Sequence, residues 1–209
     1  MIRTRYLSIV ACVALLASPV TAFAQAAPDA PKAKAPAPAQ KKGAPAPEKA
    51  AAPAAAPAIG GVQPSLLGQF GDWAAYTATP QGKKVCFALA KPASSQTNPP
   101  NRPRDPAYIF ISTRPADKVK DEVSVVIGYP FKDKSVVTVE VGSTNFNLYT
   151  DKDGAWINSA ADEARLLDAM RKGSELVVKG TSRRDTTSTD NFSLKGVGQA
   201  LDRVAQECR

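Results

Sequence analysis

The sequence contains no histidine among its 209 residues. Histidine supplies the base of Ser-His-Asp triads and many of the nitrogen ligands of zinc sites, so both kinds of site are excluded in their usual form. A serine–lysine pair could replace such a triad, but no Ser-x-x-Lys sequence stands at the start of a predicted helix. The sequence therefore predicts no catalytic residue, no metal site and no bound cofactor.

The sequence also lacks an apolar run long enough to span a bilayer as a mature helix. The apolar run Leu7–Ala17 follows two arginines and precedes the small-residue sequence Ala22-Phe23-Ala24. This order is typical of a secretory signal peptide, although a cytosolic helix could carry a similar pattern. We predict cleavage between Ala24 and Gln25 and hence a protein that is periplasmic or associated with the cell envelope.

Cysteine is scarce, with three residues and no Cys-x-x-Cys, which argues against a dithiol redox site. Cys12 lies in the signal peptide, where lipidation is the alternative to simple cleavage. Removal of that segment leaves Cys86 and Cys208. Two thiols in a small exported domain usually pair, so we predict a Cys86–Cys208 disulfide, with two unrelated buried thiols as the alternative.

Little of the formal charge of +8 belongs to the globular part of the chain. Arg3 and Arg5 lie in the signal peptide, and the following segment carries five lysines against Asp29 and Glu48. A net charge of +3 remains on residues 63–209. A surface with so small a charge, on an exported protein, does not indicate nucleic-acid binding.

Residues 25–62 are rich in alanine and proline, with lysines at 32, 34, 41, 42 and 49. Proline at this density prevents continuous helix and offers little for a core, so we expect a disordered tether with polyproline-II character. Its scattered lysines can associate weakly with anionic components of the envelope. The sequence thus divides into a signal peptide (1–24), a tether (25–62) and one globular domain (63–209).

Beyond Gln63 the pattern is that of short strands separated by turn residues. Val123, Val125 and Ile127 alternate with smaller or polar residues, which is the period of a half-buried strand. The same reasoning predicts strands at 85–89, 107–113, 137–141, 146–150, 175–181 and 192–194. Because short turns join them, we predict a mainly β, antiparallel, sandwich-like domain.

Two helices are predicted, one internal and one at the C-terminus. Ser159 can cap the first, with Ala160, Ala164, Leu167 and Met170 on its buried face. The second covers 198–208, where the spacing of Val197, Leu201, Val204 and Cys208 directs the cysteine toward the core.

Three polar segments are candidate sites. The proline-rich stretch Lys91–Asp105 is predicted to be an exposed loop, functional or merely tolerated. Asp151-Lys152-Asp153-Gly154 has the opening order of a calcium loop but fits a hairpin turn better. Arg183-Arg184, with Lys179, could bind an anion, although a solvated turn explains them as well.

Two carboxylate pairs are the remaining candidates for acid–base chemistry. Asp121 and Glu122 are adjacent on a predicted strand and should therefore point to opposite faces. Asp162 and Glu163 are explained by the favourable interaction of acidic side chains with a helix N-terminus. Neither pair predicts a catalytic site.

Several runs in order, spanning nearly all of residues 63–209, resemble the invasion associated locus B family of proteobacterial exported proteins. They are Phe70-Gly71-Asp72-Trp73, Val85-Cys86-Phe87, Ser112-Thr113-Arg114-Pro115, Asp121-Glu122-Val123-Ser124, Gly128-Tyr129-Pro130-Phe131, Ala155-Trp156, Ala169-Met170-Arg171-Lys172-Gly173, Val178-Lys179-Gly180-Thr181-Ser182 and Phe192-Ser193-Leu194-Lys195-Gly196. The stretch 182–187 differs from the family pattern, in which a glycine is expected near Asp185.

The resemblance implies a secreted or envelope-associated domain, linked in some pathogens to entry into host cells, and it supplies no catalytic residues. We therefore expect a non-enzymatic domain that binds an envelope or host-surface component. An enzyme acting on an envelope polymer and a purely structural envelope-integrity factor are the alternatives.

Overall fold

The computed structural model describes residues 56–209, so the predicted signal peptide and most of the predicted tether lie outside the described residues. This part of the chain forms eleven β-strands and two α-helices. The strands are β1 (Ser65–Phe70), β2 (Trp73–Ala78), β3 (Val85–Ala90), β4 (Ser94–Asn98), β5 (Tyr108–Arg114), β6 (Val119–Val126), β7 (Val136–Val141), β8 (Thr144–Asp151), β9 (Gly154–Trp156), β10 (Glu175–Thr181) and β11 (Thr187–Ser193); the helices are α1 (Ala160–Lys172) and α2 (Val197–Glu207).

The strands form one antiparallel sheet in the order β1-β2-β3-β5-β6-β9-β8-β7-β10-β11-β4. The sheet bends so that its two ends approach each other. The indole Nε1 of Trp73 on β2 donates a hydrogen bond to the carbonyl oxygen of Ser193 on β11 at 2.9 Å, and the amide of Asp72 donates to the carbonyl of Lys195 at 3.0 Å. The predicted mainly β, antiparallel fold is confirmed, and the bending of one continuous sheet gives it a sandwich-like form.

One hydrophobic core fills the inside of the bent sheet. On β7, Val137, Val139 and Val141 are buried while the residues between them are half-buried, as the period of two predicts. Strand β3 is different, because all six of its residues are buried. It packs on the core with one face and on a second apolar cluster with the other.

The second cluster lies on the outer face of β2, β3 and β5, around Tyr76, Phe87 and Phe110. The segment before β1 packs against it through Ala56, which is 4% exposed, and through the partly buried Ile59 and Val62. The sequence places these residues in the tether. The folded contacts therefore begin before the predicted boundary at Gln63.

Helix α1 begins and ends as predicted, but its buried face is different. The Ser159 hydroxyl accepts a hydrogen bond from the amide of Asp162 at 3.3 Å, and Gly173 follows the last turn. The prediction that Ala160 and Ala164 lie on the buried face is wrong, because both are exposed, whereas Met170 is buried as predicted, together with Leu166. The larger side chain of Leu166 offers more apolar area to the core than alanine, so it sets the rotation of the helix.

The prediction that Lys91–Asp105 contains no strand is also wrong. Strand β4 lies inside this stretch and pairs antiparallel with β11, from Thr187 opposite Asn98 to Asn191 opposite Ser94. Four of its five residues are exposed, so it has no apolar alternation to reveal it in the sequence. Its backbone satisfies the hydrogen-bonding groups of β11 that would otherwise form the sheet edge.

Candidate functional site

The predicted disulfide between Cys86 and Cys208 is confirmed. It joins β3 to the residue that follows α2, with the two Cα atoms 5.9 Å apart. Helix α2 turns Val197, Leu201 and Val204 inward, so Cys208 reaches the core from the buried face, as its spacing predicted. The bond fixes the C-terminal helix against the inner side of the sheet.

A cleft of about 900 Å³ lies at one end of the sheet. Three segments that are distant in sequence line it: 102–105, 128–130 and 182–184, together with Thr97 and Thr186. Four arginines lie in these segments, at 102, 104, 183 and 184. We call this cavity the arginine cleft.

Arg104 forms the floor of the arginine cleft. Its guanidinium makes a two-pronged ion pair with Asp190 on β11, and Nη1 lies 2.8 Å from Asp190 Oδ2. It also donates to the carbonyl of Ile127 and the hydroxyl of Ser95, both at 3.0 Å, and lies over the ring of Tyr129. The side chains of Arg104 and Asp190 are only 11% and 1% exposed. This ion pair therefore ties β4, the end of β6 and β11 together.

The turn between β10 and β11 forms one wall of the cleft. The Ser182 hydroxyl accepts hydrogen bonds from the amides of Arg184 and Thr186, at 3.3 and 3.2 Å. Asp185 has a φ of +56°, in the left-handed region that glycine adopts most readily and aspartate tolerates. This is the place where the family resemblance predicts a glycine. The aspartate keeps the turn and adds a carboxylate that pairs with Lys132 on the protein surface.

The remaining cleft arginines differ in how far their charge is neutralised. Arg183 approaches Asp133 at 3.5 Å, and both side chains are well exposed. Within residues 56–209, neither Arg102 nor Arg184 makes a side-chain ion pair or hydrogen bond, and both are exposed. Lys179, which the sequence grouped with Arg183-Arg184, pairs instead with Glu140 at 2.8 Å. Arg102 and Arg104, rather than Lys179, therefore line the cleft together with Arg183-Arg184.

The model of the invasion associated locus B (IalB) protein family matches residues 73–205. This range runs from the start of β2 nearly to the end of α2, includes every segment of the arginine cleft, and covers more than half of the chain. The chain belongs to the IalB family.

Among solved structures, the IalB domain is similar to one described as the crystal structure of invasion associated protein B from Bartonella henselae. The two share 18% sequence identity with a TM-score of 0.46, over 68% of this chain and 97% of that chain. No curated protein matches the chain.

The IalB domain brings together carboxylates from both predicted pairs. Glu122 makes a two-pronged ion pair with Arg114, at 2.8 and 3.1 Å, and this bond raises the pKa of Arg114. Asp121 accepts a hydrogen bond from the Thr113 hydroxyl at 3.3 Å. Glu163 accepts one from the amide of Val123 at 2.7 Å. Each carboxylate has a structural partner, and none of them lines the arginine cleft.

Burial raises the pKa of Glu163, and the nearby charges of Glu122 and Asp121 raise it further, against the opposing hydrogen bond from Val123. A carboxyl group whose pKa is higher in the folded state stabilises the fold below its unfolded pKa. That contribution is lost as the pH rises through the folded pKa. At neutral pH the charge of Glu163 is therefore destabilising, despite its place near a helix N-terminus.

Glu163→Gln should consequently raise the melting temperature at pH 7, because the amide oxygen can still accept from Val123 without carrying charge. The gain should shrink at pH 4, because the raised pKa means that the carboxyl group is itself protonated there. Thermal unfolding followed by circular dichroism at both pH values measures this. Asp162→Asn is the matched control and should lower stability at pH 7, because it removes an exposed charge that favours the helix N-terminus and contacts Arg165 at 2.8 Å. A lower melting temperature for Glu163→Gln at pH 7 would contradict the assigned cause.

The polar segment Asp151-Lys152-Asp153-Gly154 has a structural role in the IalB domain. Asp151 lies opposite Gly154 in the hairpin between β8 and β9, and Lys152 occupies the left-handed region with a φ of +56°. This is the hairpin turn that the sequence favoured over a calcium loop. Within residues 56–209, no group of three or more potential metal-ligating side chains is found. No helix in the same part of the chain is long and apolar enough to cross a membrane.

Proposed function

We propose that this IalB protein is an exported, non-enzymatic binding protein whose arginine cleft holds a component of the cell envelope or of a host surface. The observation that supports it most directly is the convergence of four arginines from distant segments on one cavity of about 900 Å³. Ligand sites are typically concave and of a few hundred to about 1,000 Å³. Two of the four guanidinium groups, those of Arg102 and Arg184, are free to bind a ligand.

Binding is favoured over catalysis because arginines make up four of the lining residues and the two carboxylate partners that an acid–base pair would need do not converge there. The chain has no histidine, and an arginine stays protonated at any physiological pH. Asp190, which lies beneath the cleft, is buried and engaged by Arg104. The lining can therefore attract and orient an anion, and Asp105 is the one carboxylate among the lining residues.

Export is the second part of the proposal, and it rests on the predicted signal peptide. The lysine-bearing tether would leave the domain free to reach a ligand in the envelope, with weak electrostatic association along the way. A soluble domain in the periplasm and one held at a membrane surface both agree with this arrangement.

Photo-crosslinking in living cells tests both parts. A photo-reactive amino acid at Pro103, an exposed residue of the cleft lining, should form an adduct with an envelope component. The double variant Arg102→Ser/Arg184→Ser should lose the adduct. Arg165→Ser/Arg171→Ser removes the same charge from helix α1, outside the cleft lining, and should keep it. The uncrosslinked protein in the periplasmic fraction should have the intact mass of a chain whose first residue is Gln25.

Two results would contradict the proposal. An adduct that forms equally in the cleft double variant would place binding elsewhere and leave the cleft without a role. An intact mass that includes the first 24 residues would show that the protein is not processed for export, and a diacylglyceryl adduct on Cys12 would show lipidation instead.

A further inference from the structure

The two free guanidinium groups of the arginine cleft come from different walls. Arg102 belongs to the segment that follows β4, and Arg184 belongs to the turn between β10 and β11. A guanidinium group offers a planar fork of N–H donors that matches the oxygens of phosphate or carboxylate. Two such forks around one cavity favour an anion with several oxygens and more than one negative charge, because different oxygens can then accept from the two guanidinium groups. Phosphate monoesters have these properties.

The backbone amides of the turn between β10 and β11 are not available to bind this anion. The amides of Ser182, Arg183 and Asp185 donate to the carbonyls of Thr186, Pro130 and Ser182, and the amides of Arg184 and Thr186 donate to the Ser182 hydroxyl. Because these donors are occupied, anion binding here depends on the arginine side chains. Substitution of the arginines therefore removes the binding groups without disturbing the turn.

The cleft also contains one carboxylate that a bare phosphate ion would not favour. Asp105 is exposed in the lining, and within residues 56–209 its side chain makes no ion pair or hydrogen bond. A free carboxylate repels an anion but accepts hydrogen bonds from hydroxyl groups. The volume of about 900 Å³ far exceeds that of one phosphate group, and Pro103 and Pro130 supply apolar surface beside it. The lining thus suits a ligand with a phosphate at one end and a hydroxyl-bearing ring at the other.

We propose that the arginine cleft binds a phosphorylated sugar, with the phosphate held between Arg102 and Arg184 and ring hydroxyls donating to Asp105. This inference rests on the proposed function, because it names the ligand class of the same cleft. A phosphorylated glycolipid headgroup and a soluble phosphorylated glycan present the same chemistry. Arg104 holds the floor in place and contributes positive potential that Asp190 largely neutralises.

Isothermal titration calorimetry of the mature chain at low salt tests the proposal with four probes: glucose 6-phosphate, glucose, inorganic phosphate and glucuronate. Glucose 6-phosphate should bind at least about tenfold more tightly than each of the others. Arg102→Ser and Arg184→Ser should each weaken it by about 10-fold or more, the scale of one lost charge-assisted hydrogen bond. Arg165→Ser/Arg171→Ser should leave the affinity unchanged. Circular dichroism confirms that each variant is folded.

Asp105→Asn separates recognition of the sugar from recognition of the anion. It should weaken the binding of glucose 6-phosphate relative to that of inorganic phosphate, since only the sugar uses Asp105. Flotation with phosphatidylcholine vesicles that carry lipid A, compared with vesicles that carry phosphatidylglycerol, identifies the source. Arginine-dependent binding to lipid A alone indicates a glycolipid headgroup, whereas binding of glucose 6-phosphate without binding to either vesicle indicates a soluble glycan.

The ligand class would be overturned if glucose 6-phosphate bound no more tightly than inorganic phosphate or glucuronate, or if the two arginine variants bound it normally. Equal binding to both kinds of vesicle would also overturn it, because it would show attraction to any anionic surface. A cleft-dependent crosslink in cells together with no binding of glucose 6-phosphate would reject the sugar phosphate but keep the proposed function. Binding of glucose 6-phosphate without any cleft-dependent crosslink would reject the proposed function in the envelope, while the inference that the cleft binds a phosphorylated sugar would stand.

Discussion

Arg104→Met should lower the free energy of unfolding by about 3–5 kcal/mol, because it leaves the carboxylate of Asp190 buried without a partner. Asp190 is 1% exposed, and methionine offers its carboxylate no hydrogen-bond donor in place of the guanidinium group. The carbonyl of Ile127 and the hydroxyl of Ser95 lose a donor as well. Urea unfolding at pH 7, followed by circular dichroism, measures the change.

Two further variants test the cause. Arg102→Met makes the same substitution two residues away on an exposed side chain and should change stability by no more than about 0.5 kcal/mol. Arg104→Met/Asp190→Leu removes both charges and should recover most of the loss, because the desolvation penalty of the lone carboxylate disappears. A double variant as unstable as Arg104→Met would show that the loss comes from packing rather than from an unpaired charge.

Cys208→Ser should lower the free energy of unfolding by about 2–5 kcal/mol. The Cys86–Cys208 bond closes a loop with a sequence separation of 122 residues, for which the chain-entropy model gives an upper figure of about 5 kcal/mol. The effect on local opening should be largest in α2, because the bond ties the end of this helix to β3. Hydrogen exchange of the α2 amides should therefore speed up more than that of the β7 and β8 amides.

The redox state supplies the control for this prediction. Addition of a reductant to the wild-type protein should bring its stability close to that of Cys208→Ser, and the same reductant should not alter Cys86→Ser/Cys208→Ser. A thiol assay on denatured, unreduced mature protein should detect no free sulfhydryl. Two reactive thiols in that assay, or a loss of stability below about 1 kcal/mol, would contradict the role given to the disulfide.

The sequence predicts those parts of the fold whose residues alternate between one core and solvent. Strand β7 shows its period of two directly, and Ser159 and Gly173 mark the ends of α1. Strand β4 escapes prediction because it is polar on both faces, so nothing in its own residues distinguishes it from a loop. It forms because β11 offers an unpaired edge, and that edge exists only after the rest of the sheet is built.

The arginine cleft is harder to predict from the sequence than the fold, because the residues that form it are far apart in the sequence. Arg104 and Asp190 are separated by 86 residues, and no local pattern pairs them. The sequence indicates a possible anion site at Arg183-Arg184, but it groups them with Lys179 only because that residue is near in sequence. The fold brings Arg102 close instead. The disulfide could be predicted because the expected export to an oxidising compartment, and the two cysteines that remain after the expected cleavage, left few alternatives.

Strand β3 lies between the two ends of the described chain, with the segment 56–62 near its outer face and α2 bonded to it at Cys86. A pulling force applied between these two ends would travel through the sulfur–sulfur bond and bypass residues 87–207. Only about 30 residues, those before Cys86, could then be drawn out, an extension of roughly 100 Å. All three segments of the arginine cleft lie within the bypassed loop. Tension along the polypeptide would leave the cleft unloaded, and it could keep its shape while the N-terminal strands were extended.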